Sequence, residues 1–197
     1  MKKETFEWVQ SWCDYADKND KPRVLLVGDS ITRGYQGIVR ELLKDVAYVD
    51  YLSTSYAVDN KLYSQLVEGM AKNSDYALIH FNHGLHGFHM SPRTYKSKIK
   101  NLLLRIRGKS KLVLAETTVV YKEGNKRLHT GWKKRVNERN EILGELATEL
   151  DAELNRLYSV SERIAKNDRH NDGTHYAPKG CEILADAVAE CVKSLLK

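Results

Sequence analysis

Short aliphatic runs alternate with segments of helical periodicity along most of the chain, and this alternation restricts the possible fold more than any other feature. The first run, Arg23-Val24-Leu25-Leu26-Val27, lies between Pro22 and Gly28 and is apolar from Val24 to Val27, the pattern of a strand covered on both faces. Residues 34–44 then place Ile38, Leu42 and Leu43 at helical spacing, and residues 47–52 return to an extended apolar pattern. The unit recurs as a helix with Leu62, Leu66 and Met70, a strand over 76–81, a helix with Ile99, Leu102, Leu103 and Ile106, and a strand over 111–118. A long helix over 132–150 follows, then a short fifth strand within 153–158, and a last helix from Pro178 carrying Leu184, Val188, Cys191 and Leu195. Ahead of all this, Phe6, Val9 and Cys13 form one stripe beside Trp8, Trp12 and Tyr15, which reads as a packing helix over residues 3–18. Strands and helices in this rhythm require right-handed crossovers between parallel strands. The expected fold is therefore α/β, a three-layer α/β/α sandwich with a flavodoxin-like, five-stranded parallel sheet and helices on both faces.

A chain of 197 residues with 42% hydrophobic content suits one packed domain over 1–197, and it holds no internal repeat or low-complexity linker. The net charge of +6 comes from 32 basic and 26 acidic residues interspersed along helical segments, so no nucleic-acid partner is expected. Even the densest basic cluster, Lys133-Lys134-Arg135, is followed by Glu138 and Glu141 and reads as a solvated helix face. The three cysteines, Cys13, Cys181 and Cys191, cannot all pair within the chain and lack metal-ligand spacing, which fits a reducing compartment. With no apolar window long enough to span a bilayer, the expectation is a cytoplasmic chain without a membrane partner.

In open α/β sheets ligands bind beyond the carboxyl ends of the strands, so the polar loops at that edge belong together. They carry Asp29-Ser30, Ser53-Thr54-Ser55, Asn82-His83-Gly84 and Asn171-Asp172-Gly173-Thr174-His175. Taken alone, Asp29 or Ser30 suits a helix N-cap, and the Asp172–His175 stretch suits a polar turn. Together they suggest more. A serine hydroxyl attacks well only when an imidazole takes its proton, and the imidazole needs a partner that fixes its tautomer. Asp172 and His175, three residues apart across Gly173, can form that pair locally and leave His175 to reach Ser30. Acyl transfer also needs donors aimed at the developing oxyanion. The Ser30 amide, a backbone N–H near Ser55 and the Asn82 side-chain amide are the candidates, with tying down the loop after the third strand as the other role for Asn82.

His80, His83, His86 and His89 recur every three residues and invite a metal hypothesis. A strand position for His80 and a glycine turn after His83 would scatter the rings, so no metal is expected; His83 or His86 is read instead as shaping the pocket. The polar stretch 121–132, with Gly124, Arg127, His129 and Gly131, is either a substrate-covering loop or a mobile connection.

These residues resemble the SGNH (GDSL-like) hydrolases. Gly28-Asp29-Ser30-Ile31-Thr32 is similar to the family's first block, Asp172-Gly173-Thr174-His175 to its last, and Asn82 falls at its third-block asparagine. The blocks occur in the expected order over nearly the whole chain. The resemblance implies Ser30 as nucleophile, His175 as base and Asp172 as its acid partner. It implies oxyanion donors at the Ser30 amide, the second-block residue, best aligned at Ser55, and Asn82. Asp29 and His83 are carried with Ser55 and Asn82 as substrate-binding candidates. Two blocks depart from the family pattern. Ser53-Thr54-Ser55-Tyr56-Ala57 has no glycine, and His80-Phe81-Asn82-His83 lacks the family's glycine and aspartate, although Gly84-Leu85-His86 continues as in some members. The implied activity is a serine esterase that forms an acyl-enzyme without metal or organic cofactor. Its substrate is a small-molecule ester, with a short acyl group on a sugar preferred. A lysophospholipase or thioesterase with the same triad is the nearest alternative, and a non-catalytic binding module on the same fold is the alternative from another class. A nucleotide-binding flavodoxin-like protein is disfavoured because the first turn lacks a phosphate-cradling glycine pattern.

Overall fold

The computed structural model describes residues 2–125 and 127–196; Met1, Lys126 and Lys197 lie outside the described residues. Its strands are β1 (Val9–Trp12), β2 (Arg23–Gly28), β3 (Tyr48–Thr54), β4 (Tyr76–Asn82), β5 (Lys111–Ala115) and β6 (Glu153–Asn155). Its α-helices are α1 (Ser30–Leu43), α2 (Lys61–Ala71), α3 (Pro92–Ile106), α4 (Thr130–Glu149), α5 (Leu157–Glu162) and α6 (Pro178–Leu195).

The strands form one sheet in the order β1-β3-β2-β4-β5-β6, parallel throughout except for β1. Alternation along β2 shows why the run is apolar from Val24 to Val27. Val24 and Leu26 face a core that includes Ile31, Tyr35, Leu184 and Val188 of α1 and α6, whereas Leu25 and Val27 face Tyr63, Tyr95, Ile99 and Leu143 of α2, α3 and α4. The chain is thus a three-layer α/β/α sandwich, as the alternating pattern predicts.

The sixth strand is a correction. Residues 3–18 do not form a helix; Val9–Trp12 pairs antiparallel with β3 at the sheet edge, Val9 opposite Thr54 and Trp12 opposite Tyr51. Residues four apart share a face in a strand as well as in a helix, so the spacing of Trp8 and Trp12 fits both. What selects the strand is tertiary. Trp8 lies under Arg33 and Trp12 under Arg40, two residues seven apart on α1. Two helical turns advance about 11 Å and four strand residues about 13 Å, so the rows match. Toward the other edge, β6 stops at Asn155 and α5 replaces the remainder of the expected 153–158 strand, while β5 stops at Ala115.

A buried polar knot anchors the amino-terminal half. Arg23 pairs with Asp50 at 2.8 Å, and Asp50 also accepts from the Tyr76 hydroxyl at 2.7 Å and the Asp14 amide at 2.9 Å. Asp50 is fully buried, and these donors compensate the carboxylate for its lost hydration. No helix among the described residues is long and apolar enough to cross a membrane.

Candidate active site

Ser30 owes its position to the close approach of two strands. A Cβ on Gly28 would collide with Thr32 Oγ1 and stand 2.5 Å from the Asn82 carbonyl oxygen, so β2 can turn into α1 beside β4 only with glycine there. Asp29 then caps α1, its Oδ1 accepting from the Ile31 amide at 3.0 Å. Its Oδ2 accepts from the amides of Gly84 and Leu85 at 3.3 and 3.2 Å. Only 2% exposed and engaged through both oxygens, Asp29 clamps the start of α1 to the loop after β4 and is not presented to a substrate. Ser30 is the first helical residue, and its amide is one of the donors for which the helix has no carbonyl one turn back.

The turn before α6 approaches from the other side. Asp172 Oδ1 accepts from the amides of Thr174 and His175 at 2.8 and 2.9 Å, and Oδ2 lies 2.7 Å from His175 Nδ1. His175 Nε2 lies 2.8 Å from Ser30 Oγ. Burial alone would raise the Asp172 carboxyl, but the His175 ring and the two backbone amides outweigh it and hold the group below the ordinary carboxylate value. As a carboxylate it accepts the Nδ1 proton, which leaves Nε2 free to accept from the Ser30 hydroxyl. Gly173 adopts φ +76° and packs against the Tyr121 carbonyl, whose residue in turn donates its amide to the Gly173 carbonyl at 2.8 Å. Gly124 donates to the Asn171 carbonyl at 2.7 Å and Asn125 Nδ2 to the His170 carbonyl at 2.9 Å. The described part of stretch 121–132 therefore buttresses this turn and supplies none of the residues around the serine.

Beside Ser30 opens a cavity of about 310 Å³, with Arg33, Gly34, His170, His175 and Cys181 among its walls. The remaining expected residues are directed elsewhere. The Ser55 amide donates to the Trp8 carbonyl at 3.2 Å, and Ser55 Oγ accepts from the Trp8 amide at 2.9 Å. Asn82 Nδ2 donates to the carbonyls of Ala115 and Glu116 at 3.3 and 3.1 Å, while its Oδ1 accepts from the Tyr35 hydroxyl at 3.3 Å. Both are buried, at 2% and 3% exposure. The structure thus brings Ser30, His175 and Asp172 together and gives Ser55 and Asn82 backbone partners, so Asn82 takes the tying role. His83 is 1% exposed, its ring 4.6 Å from that of Tyr63, and burial pulls its pKa down to about 4. It lies beneath the site and does not line the cavity.

The four histidines at spacing three do not share one site: the His83 and His86 rings lie 5.7 Å apart, and the others point to different partners. His80 Nε2 lies 3.3 Å from Asn155 Nδ2, His86 meets Glu4 at 2.8 Å, and His89 meets Asp59 at 2.9 Å. Two arginines that sequence reasoning passed over matter here. Arg139 is buried between Phe88 and Tyr95 and donates to the carbonyls of Gly84, His86 and Gly87, fixing the loop after β4. Arg33 was legible as a neighbour of Ser30 from its i, i+3 position on the same helix.

No protein-family model matches the chain, and no curated protein does. Solved structures do. A protein from Slackia heliotrinireducens assigned to the SGNH hydrolases superposes with a TM-score of 0.70 at 18% identity, covering 88% of this chain and 100% of the other. An acetylxylan esterase from Geobacillus stearothermophilus matches with a TM-score of 0.68 at 14% identity over 86% and 93% of the two chains. A lipase/acylhydrolase from Enterococcus faecalis matches with a TM-score of 0.68 at 16% identity over 89% and 97%. The polypeptide carrying Ser30, His175 and Asp172 is thus built on the fold of the SGNH hydrolases.

Proposed function

We propose that the chain is a serine esterase that hydrolyses a carboxylic ester through an acyl-enzyme. The observation that carries this reading is the unbroken path from Ser30 Oγ to His175 Nε2 and from His175 Nδ1 to Asp172 Oδ2, with links of 2.8 and 2.7 Å. His175 Nε2 takes the hydroxyl proton as Oγ attacks the ester carbonyl, and Asp172 stabilises the imidazolium. The oxyanion forms beside the Ser30 amide at the positive end of α1. His175 then protonates the departing alkoxide, and a water activated by the same nitrogen cleaves the Ser30 ester. The sequence needs no metal or organic cofactor.

A short acyl group on a sugar is the preferred substrate, supported by the likeness to an acetylxylan esterase and by the small cavity beside Ser30, whose walls include Arg33, His170 and His175. A lysophospholipase or thioesterase would use the same three residues. A binding module without turnover has one observation in its favour: the Ser55 amide and Asn82 side chain are both engaged by backbone. A fluorophosphonate probe separates the hydrolase readings from the binding module. It is expected to label the wild type and not Ser30→Ala, with p-nitrophenyl acetate hydrolysis lost in parallel. A folded wild type that is neither labelled nor active would overturn the esterase reading.

A further inference from the structure

Among the described residues, the arginines near the catalytic edge of the sheet are mostly occupied. Arg139 donates to three carbonyls, Arg169 to those of Ser161, Glu162 and Ile164, and Arg156 faces Glu116 at 3.5 Å. Arg33 differs. Its guanidinium makes no ion pair or hydrogen bond among the described residues, yet it is exposed and lines the same cavity as Ser30. It is also held in place, its Cζ standing 4.4 Å from the centroid of the Trp8 ring.

Trp8 is itself fixed through its backbone. Its amide meets Ser55 Oγ at 2.9 Å, and its carbonyl accepts from the Ser55 amide at 3.2 Å and from Thr54 Oγ1 at 2.6 Å. The contacts that divert Ser55 from the oxyanion therefore seat an aromatic platform beneath a cation one helical turn from the nucleophile. Residues three apart on a helix stand about 5–6 Å apart at Cβ, so Arg33 can meet a substituent a few bonds from the ester carbonyl. The net charge of +6 adds a field that draws anions toward the surface.

We infer that Arg33, stacked on Trp8, is a specificity-determining residue that binds a carboxylate borne by the ester substrate, as on an acylated acidic sugar. The role rests on the esterase reading above, and the experiment has an arm that does not. With 4-acetoxybenzoate and its methyl ester, which share the acetyl group and aromatic ring, the ratio of kcat/KM values is expected to favour the acid. Arg33→Met lowers that ratio about tenfold, the scale of one charge-assisted hydrogen bond, and Arg33→Lys restores part of it. The same ratio in wild type and Arg33→Met overturns the inference while leaving the esterase standing. Binding of the non-hydrolysable ether 4-methoxybenzoate, followed by NMR titration, reports without turnover. It is expected to weaken about tenfold in Arg33→Met. Equal or absent binding in both proteins overturns the role even if Ser30 proves inert. Tighter, Arg33-dependent binding of 4-methoxyphenyl phosphate than of 4-methoxybenzoate would overturn the carboxylate assignment in favour of a phosphate-bearing ester.

Discussion

The Ser55 amide donates to the Trp8 carbonyl at 3.2 Å while Ser55 Oγ accepts from the Trp8 amide at 2.9 Å, a reciprocal pair that carries the β1 edge past the end of β3. Ser55→Ala deletes one half of it. Urea denaturation is expected to show a loss of about 1 kcal/mol, the ordinary contribution of one hydrogen bond. Ester turnover should stay well clear of the roughly 10²- to 10³-fold drop in kcat that accompanies a missing oxyanion donor. Because alanine keeps the backbone N–H, a drop of that size with stability unchanged would give the Ser55 hydroxyl, not its amide, a role at the oxyanion.

Asn82 makes the same point at the centre of the sheet. Its amide holds the Ala115 and Glu116 carbonyls just where β5 ends, and its oxygen takes the Tyr35 hydroxyl. Asn82→Ala would leave these buried groups short of a partner, at a cost of about 1–3 kcal/mol. The expected signature is a lowered urea midpoint with a comparatively small change in kcat.

Local chemistry explains what could be read from the sequence. Gly28 and Asp29 fix Ser30 within two residues, and Asp172 reaches His175 within one turn, so both halves of the site were legible before any long-range contact was known. The alternating runs likewise fixed the three layers. What escaped depends on distant partners. The helical reading of residues 3–18 failed because Trp8 and Trp12 share a face in either conformation, and only the open edge of β3 and the arginines of α1 decide between them. Asn82 could have pointed at a substrate or at the end of β5, and the choice is set by two carbonyls more than thirty residues away. Arg139 looks like a surface charge in a helix with a polar face, yet it is 4% exposed because three loop carbonyls and two rings surround it.

Two buried rings contribute to the acid sensitivity of the fold. Burial pulls His80 down to about 3 and His83 down to about 4, against about 6.5 for an unperturbed histidine. The unfolded chain therefore gains these protons as pH falls below about 6.5, while the folded chain stays neutral there. Stability is intact above that pH and falls on acidification by about 1.4 kcal/mol per pH unit per ring, until each folded-state value is passed. His83→Phe keeps the stacking on Tyr63 and removes one titration. The loss of unfolding free energy between pH 7 and pH 5 should shrink by about 2 kcal/mol relative to wild type, measured by urea titration at each pH.

Asp172→Asn tests the orienting role in the proposed mechanism. The asparagine oxygen can still accept from the Thr174 and His175 amides, so the turn survives. Its NH₂, however, faces Nδ1 and favours the tautomer with the proton on Nε2, which can no longer accept from Ser30. With the Asp172 side chain 50% exposed, water can compensate in part. The expected fall in kcat for p-nitrophenyl acetate is about 10²- to 10⁴-fold. An unchanged kcat would remove Asp172 from the mechanism.

Gly173 separates the two halves of the acid–base pair, and its backbone is where the turn is most sensitive. At φ +76° an alanine is strained by about 1–2 kcal/mol, and its Cβ would also collide with the Tyr121 carbonyl oxygen. Tyr121 cannot withdraw freely, since its own amide is bonded to the Gly173 carbonyl. The strain is relieved most readily by shifting the turn, which moves His175 Nε2 away from its 2.8 Å contact with Ser30 Oγ. Gly173→Ala should therefore slow fluorophosphonate labelling of Ser30 and reduce kcat more than it lowers the urea midpoint, because most of the core lies outside the turn. Equal labelling rates in Gly173→Ala and wild type would mean that the turn accommodates the methyl group without moving the imidazole.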